Sequence, residues 1–314
     1  MNNLIIEKIV SQYFAKDKYI SIEKLNSGLT NFNYHIYMQN DQHCFLKVFR
    51  NADQKRVLGI TNLINNILKH HFPTPDLISC NNRYYWQDEN HIAIMTRFIK
   101  GRYPEKNVTN LYKIGTILGM LHQIPVFADL LQGYSLNYYE QRIKILQFNT
   151  SKKHEFEKFI KTVDPIIQKI PENGFHESII HGDVFLDNLL LTDFDDIFFI
   201  DFEGGCIDKS IFDLARAVIG CAVYKNEINL DLAAALITGY DKTRKLDLIE
   251  REFLFEYIIY AGTVSTLWRF IEFNINRPNE NKSSLFEELM QPTLNFVKLK
   301  KNFFDASMKA GLIF

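Results

Sequence analysis

Four cysteines in 314 residues, with no Cys-x-x-Cys pair among them, leave no ligand spacing for a zinc ribbon and no thioredoxin-like redox motif. Cys44, Cys80, Cys206 and Cys221 read as reduced structural residues. An excess of charge of either sign is also missing. The formal net charge of −1 removes any global electrostatic basis for binding nucleic acid or an anionic membrane. No charge-free run is long enough to span a bilayer, and the start Met1-Asn2-Asn3-Leu4-Ile5-Ile6-Glu7 has no basic segment before an apolar one. The default expectation is a cytoplasmic protein with neither a nucleic-acid nor a membrane partner, and the sequence carries no signal for oligomeric state. Internal repeats, low-complexity tracts and sustained heptads are absent too, which excludes solenoid and fibrous architectures.

What is present is the material of an ordinary globule: 46% hydrophobic and 23% charged residues, with 26 Phe and 15 Tyr to fill a core. The length suits two domains. Residues 3–15 place Leu4, Ile5, Ile9, Tyr13 and Phe14 near helical spacing. From Ile20 to Arg50 the residues alternate and favour strands, with Asn26-Ser27-Gly28 and Gln39-Asn40-Asp41-Gln42 as turns, so three antiparallel strands are expected. A helical pattern from Lys55 to Lys69 stops before Phe72-Pro73-Thr74-Pro75, where proline forces an extended passage. Short runs at Arg83 to Trp86 and Ile92 to Ile99 complete a small sheet. Gly101 and Pro104 mark a linker, and later segments, starting with Leu111 to Ile124, are mainly helical. The expectation is an α+β chain with a β-rich part over 1–100 and a larger helical part over 101–314. Inside the latter, Leu189 to Leu191 and Ile197 to Ile200 form a hairpin signal across Thr192-Asp193-Phe194-Asp195-Asp196.

Acidic motifs flank that hairpin. His181-Gly182-Asp183-Val184-Phe185-Leu186-Asp187-Asn188 precedes it and Ile200-Asp201-Phe202 follows it. Phosphoryl transfer needs a carboxylate near the acceptor hydroxyl, oxygen ligands for Mg²⁺ and donors for the triphosphate. Asn188 and Asp201 offer hard oxygens of the kind Mg²⁺ prefers, and Asp183 is left to orient and deprotonate a hydroxyl. Lys47 stands mid-strand between apolar neighbours in Phe45-Leu46-Lys47-Val48-Phe49, a place with no packing use for an ammonium but a good one beneath a triphosphate. The turn Asn26-Ser27-Gly28-Leu29-Thr30-Asn31 holds one glycine, so its amides can cover phosphates without forming a Walker loop.

In this order the residues resemble the aminoglycoside phosphotransferase and choline kinase superfamily, and the resemblance covers nearly the whole chain. It implies a protein-kinase-like two-lobed fold, a small antiparallel β lobe with a larger helical one, and ATP and Mg²⁺ as cofactors. It implies Asp183 as catalytic base, Asn188 and Asp201 as metal ligands, Lys47 on the α and β phosphates with Ser27 and Gly28 in the covering turn, and Met95, Arg97 and Phe98 in the hinge beside adenine. Within the superfamily, Val184-Phe185-Leu186-Asp187-Asn188, Ile200-Asp201-Phe202-Glu203 and Ala261 to Phe270 look closest to type II homoserine kinases, whose reaction converts L-homoserine to O-phosphohomoserine in threonine biosynthesis. Leu29-Thr30-Asn31-Phe32-Asn33-Tyr34 is similar to bacterial choline kinases as well, so choline, ethanolamine or an aminoglycoside are alternative small-molecule hydroxyl substrates. Asn31, Asp187, Glu203, Trp268 and Arg269 are the acceptor candidates: Asp187 or Glu203 for an ammonium, Arg269 for a carboxylate. For choline, Trp268, Tyr257 and Tyr260 would supply aromatic faces.

The sequence departs from the family pattern at one place. No glutamate occurs between Glu23 and Glu89, so the small-lobe helix lacks the acid that pairs with the strand lysine. Asn65 or Asn66 stands near its place and Asp53 is a substitute. The departure also admits a non-catalytic nucleotide-binding protein of the same fold. Three further residues have structural readings. His181 reads as a loop-bracing donor and His122 as a buried or capping histidine. Asp213 reads as an acid complementing a helix dipole, with a loop-bracing role as its alternative.

Overall fold

The computed structural model of the chain describes residues 3–14, 19–25, 31–39, 42–50, 53–127, 130, 133, 137–148 and 152–312. Helix α1 (Asn3–Tyr13) leads into strands β1 (Tyr19–Leu25), β2 (Phe32–Met38) and β3 (His43–Phe49), then helix α2 (Gln54–Lys69) and strands β4 (Trp86–Gln87) and β5 (Ile92–Arg97). Next come α3 (Val108–Leu121), α4 (Tyr138–Gln147), α5 (Lys153–Ile167), β6 (Glu177–Ile180), β7 (Leu189–Leu191), β8 (Ile197–Phe199) and β9 (Cys206–Lys209). The chain continues with α6 (Ser210–Cys221), β10 (Val223–Tyr224), β11 (Glu227–Ile228), α7 (Leu230–Thr243), α8 (Leu248–Phe270), α9 (Glu287–Val297) and α10 (Lys300–Lys309). The α+β class expected from the sequence holds: a five-stranded antiparallel sheet, ordered β1-β2-β3-β5-β4, accompanies a larger helical part. No helix among the described residues is long and apolar enough to cross a membrane.

Chain contacts divide the protein into two units. The first comprises Met1–Tyr103, Phe127–Leu131 and Leu190–Phe202; the second comprises Pro104–Val126, Gln132–Leu189 and Glu203–Phe314. The first unit draws in the β7–β8 hairpin because backbone polar groups bind it there. Arg102 and Leu191 exchange N–H···O bonds of 3.0 and 2.8 Å, and Phe199 N–H donates to Pro73 O at 2.9 Å. Phe72 meets Phe199 and Phe202 edge-on.

Side-chain alternation sorts the sheet of the first unit into two faces. Tyr34, Ile36 and Met38 of β2, Cys44, Leu46 and Val48 of β3, and Ala93 and Met95 of β5 pack with Ile6, Ile9 and Val10 of α1. Asn33, Lys47 and Ile94, which are aligned across β2, β3 and β5, fall on the other face. Helix α2 starts where Asp53 accepts the N–H of Arg56 at 2.7 Å, and it buries Val57, Ile60, Leu63, Ile64 and Ile67 at helical spacing. The strand expected at Arg83 to Trp86 begins later. Asn81 and Asn82 take left-handed φ of 49° and 63°, making a tight Cys80–Arg83 bridge, and only Trp86–Gln87 pairs with β5.

The second unit is organised on α3 and α7, which touch backbone to backbone. A Cβ on Gly115 would stand 1.9 Å from Leu236 O, and one on Gly239 would stand 2.0 Å from Tyr112 O. Helix α8 opens on a capping box, Asp247 with Glu250, and runs to Phe270, followed by a π-helical stretch Ile271–Asn276. Gly239→Ala should therefore destabilise the protein by about 1–3 kcal/mol through overpacking, although alanine is the better helix former. Urea unfolding followed by circular dichroism measures this, and an unchanged midpoint would mean that the two helices separate without cost.

Candidate active site

In the first unit, Lys47 sits on the face of β3 turned away from α1 and is only 5% exposed. An ammonium so buried needs an anionic partner. Asp201 provides it, with Oδ1 2.7 Å from Lys47 Nζ. Asp201 lies just beyond β8 with a left-handed φ of 66°, a conformation that costs an L-residue about 1–2 kcal/mol and is held by the anchored strand before it. Asp53, the substitute acid considered from the sequence, caps α2 instead. The acid for Lys47 thus comes from the far end of the hairpin.

The hinge candidates separate. Met95 is fully buried in the α1-side core, and its carbonyl accepts Ile78 N–H at 2.8 Å. Arg97 is exposed and faces Asp76 at 3.4 Å. Phe98 stacks on His35, with ring centroids 3.9 Å apart and planes at 7°, and His35 Nε2 lies 2.9 Å from His43 Nδ1. Burial, aided by His43, holds His35 below the ordinary histidine range against the pull of Glu23. Asn31 accepts Arg50 N–H at 3.1 Å. Ser27 and Gly28 lie outside the described residues.

In the second unit, the segment after β6 is fixed by a buried carboxylate. Asp213, on the first turns of α6 and without solvent exposure, accepts His181 N–H at 2.7 Å and Gly182 N–H at 2.9 Å. His122 Nε2 lies 3.1 Å from the same carboxylate, and His122 Nδ1 lies 2.7 Å from the Tyr240 hydroxyl. Burial pushes His122 below its ordinary range, so at neutral pH it is an imidazole that donates from Nε2 and accepts from Tyr240. Burial alone would raise Asp213, but its bonds and attractions to His122 and His181 outweigh that and keep it below the usual carboxylate value. Asp213 stands in the first turn of α6, as the helix-dipole reading expected, and the loop-bracing alternative holds as well, because two buried N–H groups require an acceptor. His122 is both buried and the C-cap of α3, as expected. The ring of His181 does brace the loop, and its Nδ1 accepts Asp183 N–H at 3.2 Å.

Asp183 itself is held from two sides. Arg216 Nη2 lies 2.7 Å from Oδ1, and the amide of Asn188 donates to Oδ2 at 2.9 Å and to the Asp183 carbonyl at 2.8 Å. Its side chain remains 42% exposed. A carboxylate with about four acceptor sites keeps room for a hydroxyl after taking these two donors. Arg216 is fixed in turn by Ser265 of α8 at 2.9 Å, and its guanidinium lies 5.4 Å from the centre of the Phe185 ring. Arg269 lies 5.5 Å from the same ring and bonds Leu285 O and Glu288, both at 3.0 Å. Burial lowers the pKa of Arg269, Glu288 and Asp183 oppose this, and Arg216 adds to the lowering. Sequence reasoning missed Arg216, although it stands three residues after Asp213 on one helix face.

The remaining acceptor candidates fall apart. Asp187 is exposed in the 3₁₀ turn Leu186–Asn188, and Glu203 is half-buried in the turn Phe202–Gly204. Trp268 meets Phe273 edge-on, while Tyr257 and Tyr260 face each other and the rings of Phe175 and Phe212.

A family profile described as "Phosphotransferase enzyme family" matches residues 21–246. A homoserine kinase of Bartonella henselae is 22% identical over 237 residues, covering 74% of each chain. A homoserine kinase of Zymomonas mobilis is 22% identical over 254 residues, covering 78% of this chain and 79% of its own. Among solved structures, an amicoumacin kinase in complex with AMP-PNP and Ca²⁺ superposes with a TM-score of 0.72 at 13% identity over 94% of both chains. The choline kinase of Streptococcus pneumoniae gives 0.66 at 14% identity, over 93% of this chain and 98% of its own. These likenesses establish the kinase-like fold.

The His122–Asp213 pair makes the second unit acid-sensitive in a defined direction. A folded-state pKa below the unfolded value means that the unfolded chain binds more protons, so stability rises with pH across that window. His122 contributes fully above about 6.5 and is lost as pH falls from there; Asp213 adds a further loss below about 4. Urea midpoints should drop between pH 7.5 and 5.5, and His122→Gln should reduce that drop while lowering the midpoint at pH 7.5. An equal slope in wild type and variant would contradict the assignment.

Proposed function

The chain belongs to the phosphotransferase enzyme family and is a small-molecule phosphotransferase, and on that footing we propose that it moves the γ-phosphoryl group of ATP to the hydroxyl of L-homoserine. The observation that carries the choice of acceptor is the pair Arg216 and Arg269, both within 5.5 Å of the Phe185 ring centre. Arg216 meets Asp183 and Arg269 meets Glu288, and guanidinium groups so gathered around one ring favour an acceptor that brings an anionic group of its own. Choline has none. The aromatic faces a quaternary ammonium would want, Tyr257 and Tyr260, associate with Phe175 and Phe212, whereas Trp268 associates with Phe273. The relatives named homoserine kinase support the same reading.

In this reading the part over 1–100 takes the nucleotide, with Lys47 on its phosphates, Ser27 and Gly28 in the covering turn, and Met95, Arg97 and Phe98 near the base. The part over 101–314 supplies the base and the acceptor contacts. Asp183, oriented by Arg216 and Asn188, accepts the proton of the homoserine hydroxyl as its oxygen bonds to the γ-phosphorus and the bond to the β-phosphate oxygen breaks. Arg269 and Arg216 hold the homoserine carboxylate; Asp187 or Glu203 takes its ammonium, and Asn31 is a further acceptor contact in this reading. The donor chemistry fits Mg²⁺. The Asn188 amide nitrogen is used on Asp183, which leaves its carbonyl oxygen, and Asp201 brings a carboxylate, so both donors are hard oxygens. Bound there, Mg²⁺ would neutralise charge on the phosphates.

A coupled assay of ATP consumption with homoserine, choline, ethanolamine and an aminoglycoside tests the acceptor. Turnover above background is expected with homoserine alone, and turnover with choline alone would overturn the reading. Asp183→Asn should lower kcat by about 10²–10⁴. Arg269→Ala should raise the homoserine KM by at least about tenfold with a smaller effect on kcat, as expected for loss of a charge-assisted bond.

A further inference from the structure

Arg269 and Glu288 form an ion pair whose two ends stand in different surroundings. Arg269, on the last turn of α8, has a side chain only 16% exposed, whereas that of Glu288, on the first turn of α9, is 63% exposed. We propose that Glu288 sets the specificity of the acceptor site: in the empty site its carboxylate stands on Arg269 in place of the acceptor's own, and an acceptor with a carboxylate binds by displacing it. The inference rests on the reading that Arg269 takes the acceptor's carboxylate.

A guanidinium as enclosed as that of Arg269 is costly without an anion. Glu288 supplies one, with Oε2 3.0 Å from Nη1, and this carboxylate makes no other ion pair or hydrogen bond among the described residues. Its neighbour Glu287 is committed elsewhere, to Lys152 at 2.9 Å. Glu288 is thus held by one contact at an exposed position. Its release to water costs about as little as the loss of a surface pair and needs only a side chain to swing.

Arg269 does not follow it. The same Nη1 donates to Leu285 O at 3.0 Å, and the next residue, Phe286, is buried against the rings of Phe156 and Phe270. With that carbonyl fixed by the core, the guanidinium keeps its place 5.5 Å from the Phe185 ring centre after Glu288 leaves. Arg216, on the other side of the ring contact, is committed to Asp183 and to buried Ser265. The cation that can change partners is Arg269.

An acceptor carboxylate therefore exchanges one anion for another on Arg269, and its affinity is the difference between two charge-assisted contacts. An alcohol without a carboxylate gains nothing from the exchange and leaves Glu288 where it stands. The acid on α9 in this way decides how far the site prefers the one kind of acceptor over the other.

Glu288→Gln keeps the shape of the side chain and removes its charge, and unchanged near-ultraviolet circular dichroism verifies its fold. In the ATP-coupled assay this variant should lower the homoserine KM by about threefold, with a smaller change in kcat, because an exposed pair opposes the incoming anion by about that factor. For 3-amino-1-propanol, which has no carboxylate to exchange, the KM, or the inhibition constant against homoserine where there is no turnover, should stay within about twofold. A homoserine KM that rises means that Glu288 orients Arg269 or itself touches the acceptor, and one that is unchanged means that it does not compete; either result overturns the inference while the acceptor reading stands. An equal fall for both compounds overturns it too. If the wild type does not phosphorylate homoserine at all, the acceptor reading fails and the inference with it.

Discussion

A single buried carboxylate determines where Asp183 stands. Asp213 takes the N–H groups of His181 and Gly182 on its two oxygens, and each would otherwise be an unpaired donor in the core. The charge persists there because its surroundings are all donors: two backbone amides and the Nε2–H of His122, itself set by Tyr240. The loop turns after β6 through Gly182, whose φ is 76°, with this acceptor waiting on α6. Arg216, one turn further along α6, then fixes the Asp183 carboxylate from the same helix. Backbone and side chain of the proposed base are referred to one rigid element, which is the preorganisation that proton abstraction requires.

The first unit solves a comparable problem differently. Lys47 is buried by strand alternation on the face of the sheet away from α1, and burial forces it to find an anion. The sequence holds no glutamate in α2 to serve. Asp201, at the end of the β8 strand that Pro73 and Phe72 tie down, serves instead. Lys47 is thereby paired in this structure without a glutamate on α2.

Much of this was legible in the sequence because the signals were local. Alternation gave β2, β3 and β5, the Phe72-Pro73 passage ended α2, and the spacing of Leu189 to Leu191 against Ile197 to Ile200 gave the hairpin. The candidate chemistry of His181 to Asn188 could be proposed because its residue types stand next to one another in the chain. The unread parts were long-range pairings. Lys47 with Asp201 spans almost half the sequence, Asp213 with His122 joins α6 to α3, and Arg216 acquires meaning only when α6 is laid beside the loop. Composition carries no trace of such pairings. Boundaries failed where two asparagines took left-handed conformations, at Asn81 and Asn82, a choice that pattern alone does not reveal.

The account stands or falls on whether the arginines beside Asp183 read an acceptor carboxylate. The most direct measurement compares kcat/KM for L-homoserine with that for 3-amino-1-propanol, which keeps the hydroxyl and the amine but lacks the carboxylate, in the same ATP-coupled assay. Preference for homoserine by about tenfold or more is predicted, the worth of one charge-assisted contact. Equal or faster phosphorylation of the amino alcohol would contradict it.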